Sequence, residues 1–344
     1  GDIYQRKTTD MFTVGMSLPA VFGTDVPKGN YADLTTKGFE LSVSWRDQFQ
    51  LASKPFNYEV RFTLADYQST IDKYNNPEKK LGDDYYYEGM KVGEIWGYET
   101  EGFFTSQADI DSHAKQPYFY AGATAGQWLP GDIKFKDLNG DGVIDYGNNT
   151  VDNPGDQKII GNSEPRFIYG INLSGDWNNF FVSAFFQGVG KQDWWPGSEA
   201  SYFWGMYNRP YNDMPKSHLG NIWTEENPNT YFPRLRGYSS EEPYAELNLK
   251  QTRYLQNIAY IRMKNIQLGY TLPKSFISKL RMQNAKVYVS GENLWSWSPF
   301  YKYSKDLDVE AVRGSDRDLT EGTSGNGYSY PILKSVSFGL SVTF

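Results

Sequence analysis

The last ten residues, Ser335-Val-Ser-Phe-Gly-Leu-Ser-Val-Thr-Phe344, decide the fold class. Val336, Phe338, Leu340, Val342 and Phe344 fall on one face, and Ser335, Ser337, Gly339, Ser341 and Thr343 on the other. Such strict period-two alternation is the mark of a β-strand with two unlike faces. In a soluble sandwich an edge strand this apolar invites pairing with other chains. A membrane barrel removes the hazard, because closure pairs the edge and lipid takes the apolar face.

The same alternation recurs upstream. Residues 39–46 set Phe39, Leu41, Val43 and Trp45 against Glu40, Ser42, Ser44 and Arg46. Residues 56–65 set Phe56, Tyr58, Val60, Phe62 and Leu64 against Asn57, Glu59, Arg61, Thr63 and Ala65. Segments 167–177 and 180–190 follow the pattern, 257–270 follows it with a change of phase near Asn265 that predicts a bulge, and 285–294 and 2–12 follow it less cleanly. The expectation is an all-β chain of about eight antiparallel strands, each near the ~9–11 residues a tilted membrane strand needs. Glu40, Arg46, Glu59 and Arg61 would then face a wet lumen.

Connection lengths give an independent test. Long connections at 13–38, 68–165, 191–256 and 296–331 alternate with shorter ones at 47–55, Asn178-Asn179 and 271–284. Outer-membrane barrels sort long extracellular loops and short periplasmic turns in this way. Loops as long as 68–165 and 191–256 are expected to carry structure of their own.

Composition closes other doors. The 344 residues include no Cys and two His (His113, His218), which excludes disulfide frameworks, zinc ribbons, iron–sulfur clusters and thiol nucleophiles. A formal charge of −7 argues against nucleic acid as a partner. No apolar run of ~18 residues is present, which speaks against spanning helices and says nothing about spanning strands. The chain opens Gly1-Asp2-Ile3-Tyr4 without an export signal, so either that signal was removed or the chain is part of a longer one.

Aromatic residues make up 17% of this polar chain and fall into three sets. One lies on the apolar strand faces. A second, Trp45, Tyr67, Trp177 and Tyr270, falls at the expected strand ends, where amphipathic rings meet a membrane interface. The third occupies the long loops and includes Tyr85-Tyr86-Tyr87, Trp295 and Trp297. Trp194, Trp195, Trp204, Tyr207 and Trp223 of this set are the candidate contacts to substrate or partner, since flat rings stack on sugars and anchor protein interfaces. The alternative is that they form small cores within the loops.

One local motif points to a metal. In Asp137-Leu-Asn139-Gly-Asp141-Gly142-Val-Ile-Asp145, oxygen ligands alternate around a turn glycine as in a calcium loop. The bidentate Glu expected last is Asn148, so Asp152 or Asp156 would have to fold back. Calcium on Asp137, Asn139, Asp141 and Asp145 and a self-bonded Asx-rich turn both remain open. The acid pairs Glu225-Glu226 and Glu241-Glu242 read as solvated loop charges, and no GxSxG, phosphate-binding glycine loop or HExxH motif is present, so no enzymatic activity is expected.

Several stretches resemble, in order, the C-terminal barrel portion of SusC/RagA-type TonB-dependent outer-membrane transporters. They are Asp132-Ile-Lys-Phe-Lys-Asp-Leu-Asn-Gly-Asp-Gly-Val-Ile-Asp145, Pro165-Arg-Phe-Ile-Tyr-Gly170, Tyr260-Ile-Arg-Met-Lys-Asn-Ile-Gln-Leu-Gly-Tyr-Thr-Leu-Pro273, Val287-Tyr-Val-Ser-Gly-Glu-Asn-Leu294 and the terminal strand. Lys28 to Trp45 also looks like that family's barrel. The resemblance implies an outer-membrane barrel of about twenty-two strands with a plug domain and a TonB box, neither of which is found in these residues. It further implies energising by the TonB–ExbB–ExbD complex, a SusD-like surface lipoprotein as partner, outer-membrane lipid around the wall, and a glycan or peptide as cargo. Where family members carry a Thr-rich stretch and a Gly-Tyr-Asp-Pro-Glu run after the Asn-Leu strand, this chain has Trp295-Ser-Trp-Ser-Pro-Phe300. Two rivals stand beside this reading: a self-contained eight-stranded barrel serving as adhesin or binding protein, and a soluble all-β carbohydrate-binding module or hydrolase.

Overall fold

The computed structural model describes residues 1–14, 21, 23, 27–82, 85–117, 127–198, 200–236, 245–312 and 330–344. Along the chain, β1 (Asp2–Val14), β2 (Lys28–Leu51) and β3 (Lys54–Lys73) come first. The first long loop carries β4 (Glu94–Tyr98), β5 (Thr100–Phe103), α1 (Gln107–Ser112), β6 (Ile133–Phe135) and β7 (Gln157–Asn162). Then follow β8 (Arg166–Trp177) and β9 (Phe180–Lys191), and a second long loop with β10 (Asp193–Trp194), α2 (Ser201–Trp204) and β11 (Gln256–Asn257). β12 (Tyr260–Thr271), α3 (Lys274–Ile277), β13 (Asn284–Trp297) and β14 (Ser335–Thr343) close the chain.

Eight of these strands form one antiparallel sheet in the order β1-β2-β3-β8-β9-β12-β13-β14. Its registers carry a single apolar face across the whole sheet. Val43 opposes Phe62, Phe62 opposes Ile171, Ile171 opposes Phe186 and Phe186 opposes Met263. Nearer the short turns, Leu268 opposes Val289 and Val289 opposes Phe338. The polar set pairs likewise, Ser42 with Thr63, Ser44 with Arg61 and Arg46 with Glu59. The phase change near Asn265 is a register shift between Met263 and Asn265 in both ladders of β12. It places Met263 and Ile266 on the same face, so the extra residue keeps the apolar face intact past a break in the sequence pattern.

Among the described residues no other layer covers that face. Val43 is 53% exposed, Trp45 61% and Phe338 86%, and Leu268, Val336 and Leu340 are also exposed. Among the described residues β1 pairs only with β2 and β14 only with β13, so the sheet has two open edges. That geometry departs from the self-contained eight-stranded barrel, which needs β1 and β14 joined.

The strands outrun the expected spans. β2 begins at Lys28, within a stretch whose Gly, Asn and Asp read as loop, because ladders to β1 and β3 on both sides override local propensity. Trp45 and Tyr67 therefore lie inside β2 and β3 rather than at their ends, whereas Trp177 and Tyr270 hold the expected places. The connection expected at 47–55 is the two-residue turn Ala52-Ser53, with φ of +48° and +63°, like Asn178-Asn179 at +48° and +71°. Beside these turns Phe49, Phe56 and Tyr58 cluster, and Phe180 meets Tyr270 at 4.7 Å. At the opposite end Trp295 and Trp297 belong to β13 and not to the loop; they oppose Met263 and Ile261 on the apolar face. Aromatic belts thus mark both ends of that face, as at two membrane interfaces.

The buried core sits in the loops instead of behind the sheet. Its main cluster draws Tyr98, Ile133 and Phe135 from the first long loop, Trp194, Phe203, Trp204 and Phe232 from the second, and Phe300, Leu307 and Val309 from the third. A smaller cluster of Ile71, Leu81, Tyr87 and Met90 seats the first loop on the ends of β2 and β3.

The Ala52-Ser53 turn is under strain, since left-handed backbone costs a non-glycine residue about 1–2 kcal/mol. Replacing the pair by Asn-Gly is expected to raise stability by roughly 1–2 kcal/mol, read as a higher urea midpoint for refolding into detergent or lipid; an unchanged midpoint would show that the turn conformation carries no strain.

Candidate functional site

The three long loops fold together into one unit at the long-loop end of the sheet. Its centre is a lattice of rings. Trp194 meets Phe203 at 6.1 Å and Phe300 at 5.9 Å, both edge to face, while Phe203 meets Trp204 at 4.8 Å. Trp204 continues to Tyr254 at 5.2 Å, and Phe232 stacks on both Tyr207 and Tyr254. The polar tips are satisfied inside: Trp204 Nε1 donates to the carbonyls of Pro196 and Gly197, and Tyr207 Oη donates to Pro233 O at 2.6 Å. Trp204 and Tyr207 are 0% exposed.

This arrangement corrects the expectation that Trp194, Trp204, Tyr207 and Trp223 offer contact faces. All four are buried, and the rings of Trp194, Trp204 and Tyr207 pack against other aromatics of the core. Trp223 lies under Arg234, whose guanidinium carbon is 5.2 Å from its ring centre. Trp195 alone of the five is half-exposed, edge-on to Trp204 at 6.3 Å. The aromatics act by shaping the unit: each buries on the order of 150–250 Å², enough to hold loops that have little regular structure.

Charged groups inside this core were not singled out from the sequence, where a loop carboxylate reads as solvated. Asp132, fully buried, accepts from both Arg236 Nε, at 2.7 Å, and Arg236 Nη2. Glu246, also fully buried, accepts from Ile133 N through Oε2 at 2.7 Å. Gln116 brackets the same strand, accepting from Phe135 N and donating to Ile133 O. Together they pin β6 to the second loop. Burial pushes the Glu246 carboxyl well above the usual carboxylate range, and the neighbouring Asp132 pushes it further, which favours its protonated form. Both histidines are structural: His113 Nε2 bonds Phe135 O at 2.8 Å, and buried His218 bonds Phe203 O at 2.9 Å.

The candidate calcium residues form a ladder of side-chain-to-backbone bonds. Asp137 accepts from Gly140 N and Gly142 N, Asn139 from Asp141 N, Asp141 from Val143 N and Asp145 from Gly147 N. Asp156 does fold back, and its carboxylate caps Leu138 N at 2.7 Å and Asp145 N at 2.8 Å. Among the described residues no three acidic or histidine side chains converge as a metal cage. The oxygens are turned onto backbone N–H groups, the geometry of Asx turns. The pair Glu241-Glu242 lies outside the described residues.

On the polar face of the sheet, Arg46 and Glu59 form a two-point ion pair at 3.0 Å, and Arg61 donates to Ser42 Oγ. Glu40 shares that face, opposite Ala65. Toward the loops the pairs become more buried. Arg166 clasps Asp66, and Arg262 binds Asp308 and Glu310 at 2.5 and 2.8 Å, with Lys264 on the same Glu310. The third loop is thereby tied to β12. A cavity of about 380 Å³ opens between the first and second loops, walled by Tyr85, Tyr87, Trp96 and Tyr146 with the amides of Asn149 and Asn248 and the charged Glu94 and Lys250. Rings beside amides and charged groups suit a hydroxylated ligand.

No protein-family model matches the chain. Curated relatives do. TonB-dependent receptor P3 of Formosa agariphila is 26% identical over 361 residues, which take in 100% of this chain and 32% of the relative. TonB-dependent receptor P26 of the same organism is 26% identical over 358 residues, 99% of this chain and 32% of the relative. Among solved structures, the RagAB peptide transporter shares the fold with a TM-score of 0.66 at 18% identity, covering 99% of this chain and 32% of that one. The resemblance read from the motifs therefore holds: over its whole length the chain is similar to TonB-dependent receptors, and its fold is similar to that of the RagA barrel. It spans about a third of the length of the relatives it matches. Those relatives are receptors and not enzymes.

Two outcomes follow from this geometry. A carboxyl whose folded-state pKa is raised contributes stability at low pH that is lost as pH rises toward that pKa. Stability should therefore fall as pH climbs above the usual Glu range, and Glu246→Gln should flatten that slope in thermal melts at a series of pH values while keeping the bond to Ile133 N; an unchanged slope would count against a protonated Glu246. For the Asx ladder, Asp137→Ala should cost about 1–2 kcal/mol because two backbone N–H groups lose their acceptor. Melts with added calcium or EGTA should coincide for the unaltered protein if the backbone N–H groups are the ladder's only partners, and a calcium-dependent rise would support the metal reading.

Proposed function

We propose that the chain forms part of the wall and the outer loops of a TonB-dependent importer in the outer membrane of a Gram-negative bacterium. The observation that carries this reading is the continuous apolar face of the eight-stranded sheet, exposed between two aromatic belts. Lipid is the environment that stabilises such a face, and further strands of a barrel near twenty-two in number would pair its two open edges. The folded loop unit then lies outside the cell. Cargo would enter among the loops with a SusD-like lipoprotein above them, and the TonB–ExbB–ExbD complex would supply the energy.

A glycan is the favoured cargo. The cavity walled by Tyr85, Tyr87, Trp96 and Tyr146 beside amides, Glu94 and Lys250 supports that preference, because ring faces stack on the apolar faces of sugars and polar side chains bond their hydroxyls. The Asx ladder enters as a structural turn that holds β6 and β7 in place, with calcium as its alternative stabiliser.

The test is uptake by cells carrying or lacking the gene, given labelled oligosaccharides or labelled peptides, with and without a protonophore. Protonophore-sensitive, gene-dependent oligosaccharide uptake is expected, together with recovery of a lipoprotein on purification. Peptide uptake alone would replace the cargo, and gene-independent uptake of both would overturn the import reading. For the wall itself, Val43→Arg should destabilise the membrane-inserted protein by about 2–4 kcal/mol while Ser42→Arg, one residue away on the polar face, is tolerated; this is read as outer-membrane abundance and urea unfolding in lipid.

A further inference from the structure

A second cavity, of about 500 Å³, lies between the second and third loops. Among the described residues two cations border it, Arg253 and Lys302, and no carboxylate does, in a chain with 41 acidic against 34 basic residues. Arg253 is held in one orientation: Nε donates to Tyr231 O at 3.0 Å, Nη2 to Thr230 O at 2.6 Å, and the guanidinium carbon sits 4.1 Å from the Phe103 ring centre. Neither cation forms an ion pair among the described residues. Lys302 is exposed, with Nζ 5.2 Å from the Tyr303 ring centre.

The remaining wall is amphipathic. Tyr231 and Tyr303 stack at 4.0 Å and 15° to form a rigid two-ring slab. Ser217 and Asn221 also line the cavity, and Asn221 Nδ2 donates to Ser217 O at 2.8 Å. A preset guanidinium, a mobile ammonium, a ring slab and small hydroxyl and amide groups together match a ring that bears both hydroxyls and a negative group.

We propose that this cavity binds an acidic saccharide. Arg253 and Lys302 take its carboxylate or sulfate, Ser217 and Asn221 take its hydroxyls, and the Tyr231–Tyr303 slab flanks the sugar ring. The proposal rests on the glycan-import reading and deepens it, by giving the cargo a charge and assigning the residues that select for it.

The test measures binding of four probes by calorimetry to the natural full-length protein in detergent: tetragalacturonate, a sulfated carrageenan tetrasaccharide, neutral maltotetraose and tetraglutamate. Lys302→Glu and Lys302→Arg are compared, since Lys302 is exposed and Arg253 also holds backbone carbonyls; matched melting temperatures confirm an intact fold. At least one acidic saccharide should bind more tightly than maltotetraose, Lys302→Glu should weaken it about tenfold or more, and Lys302→Arg should retain it. Whether tetragalacturonate or the sulfated probe leads tells carboxylate from sulfate. Maltotetraose binding as tightly as both acidic saccharides, or acidic binding indifferent to Lys302→Glu, would overturn the proposal and leave glycan import standing. Tetraglutamate binding with no saccharide bound would overturn both, and no binding by either acidic saccharide would overturn the proposal.

Discussion

The structure depends on one constraint: a sheet with one apolar face that none of the described residues covers. Ladder after ladder, Val43, Phe62, Ile171, Phe186 and Met263 stand in line. Hydrocarbon burial is worth roughly 25 cal/mol per Å², so a face of this extent in water would be a standing cost and an aggregation site. Lipid turns that cost into a stabilising contribution. The bulge at Met263/Asn265 shows how closely the chain keeps to this rule, since it breaks two hydrogen-bond ladders to hold Met263 and Ile266 on one side.

Because the sheet spends its apolar residues outward, the loops must supply their own core. They do so with aromatics. Trp204, Phe203, Tyr207, Phe232, Tyr254 and Phe300 are nearly or wholly buried, and the few polar atoms they take inside bond loop carbonyls. Asp132–Arg236 and Glu246 fasten the same core from within, a costly arrangement that the paired guanidinium and the Ile133 amide offset in part, since Glu246 Oε1 is buried without a hydrogen-bond partner. Rigid loops built in this way can hold cavities open at their junctions. Those cavities differ in chemistry: the first sets rings and amides beside both Glu94 and Lys250, and the second sets the cations Arg253 and Lys302 beside Tyr303.

The sheet was largely legible in the sequence because its information is local. Two-residue periodicity in Ser335–Thr343 or in the middle of β3 states which residues share a face, and the break near Asn265 states where a bulge falls. What the periodicity missed is where long-range pairing extends a strand through unpromising residues, as from Lys28 to Gly38. The site was far less legible. Whether Trp204 faces water or Tyr254 depends on a contact between residues fifty positions apart, and nothing near Trp204 in the chain reports it. The Asx ladder is the intermediate case: its residues were found, while the bonds they make to backbone N–H groups, and the fold-back of Asp156 onto Leu138 and Asp145, were visible only in the structure.

The absence of cysteine from the chain makes the central claim directly measurable. Single cysteines placed at successive positions from Lys286 to Ser290 and spin-labelled in liposomes would report exposure to oxygen, which concentrates in lipid, and to a water-soluble nickel chelate. Oxygen exposure is expected to peak at Val287 and Val289, and nickel exposure at Lys286, Tyr288 and Ser290, with a period of two. Uniform exposure to the nickel chelate along the strand, or an alternation of the opposite phase, would contradict a lipid-facing sheet.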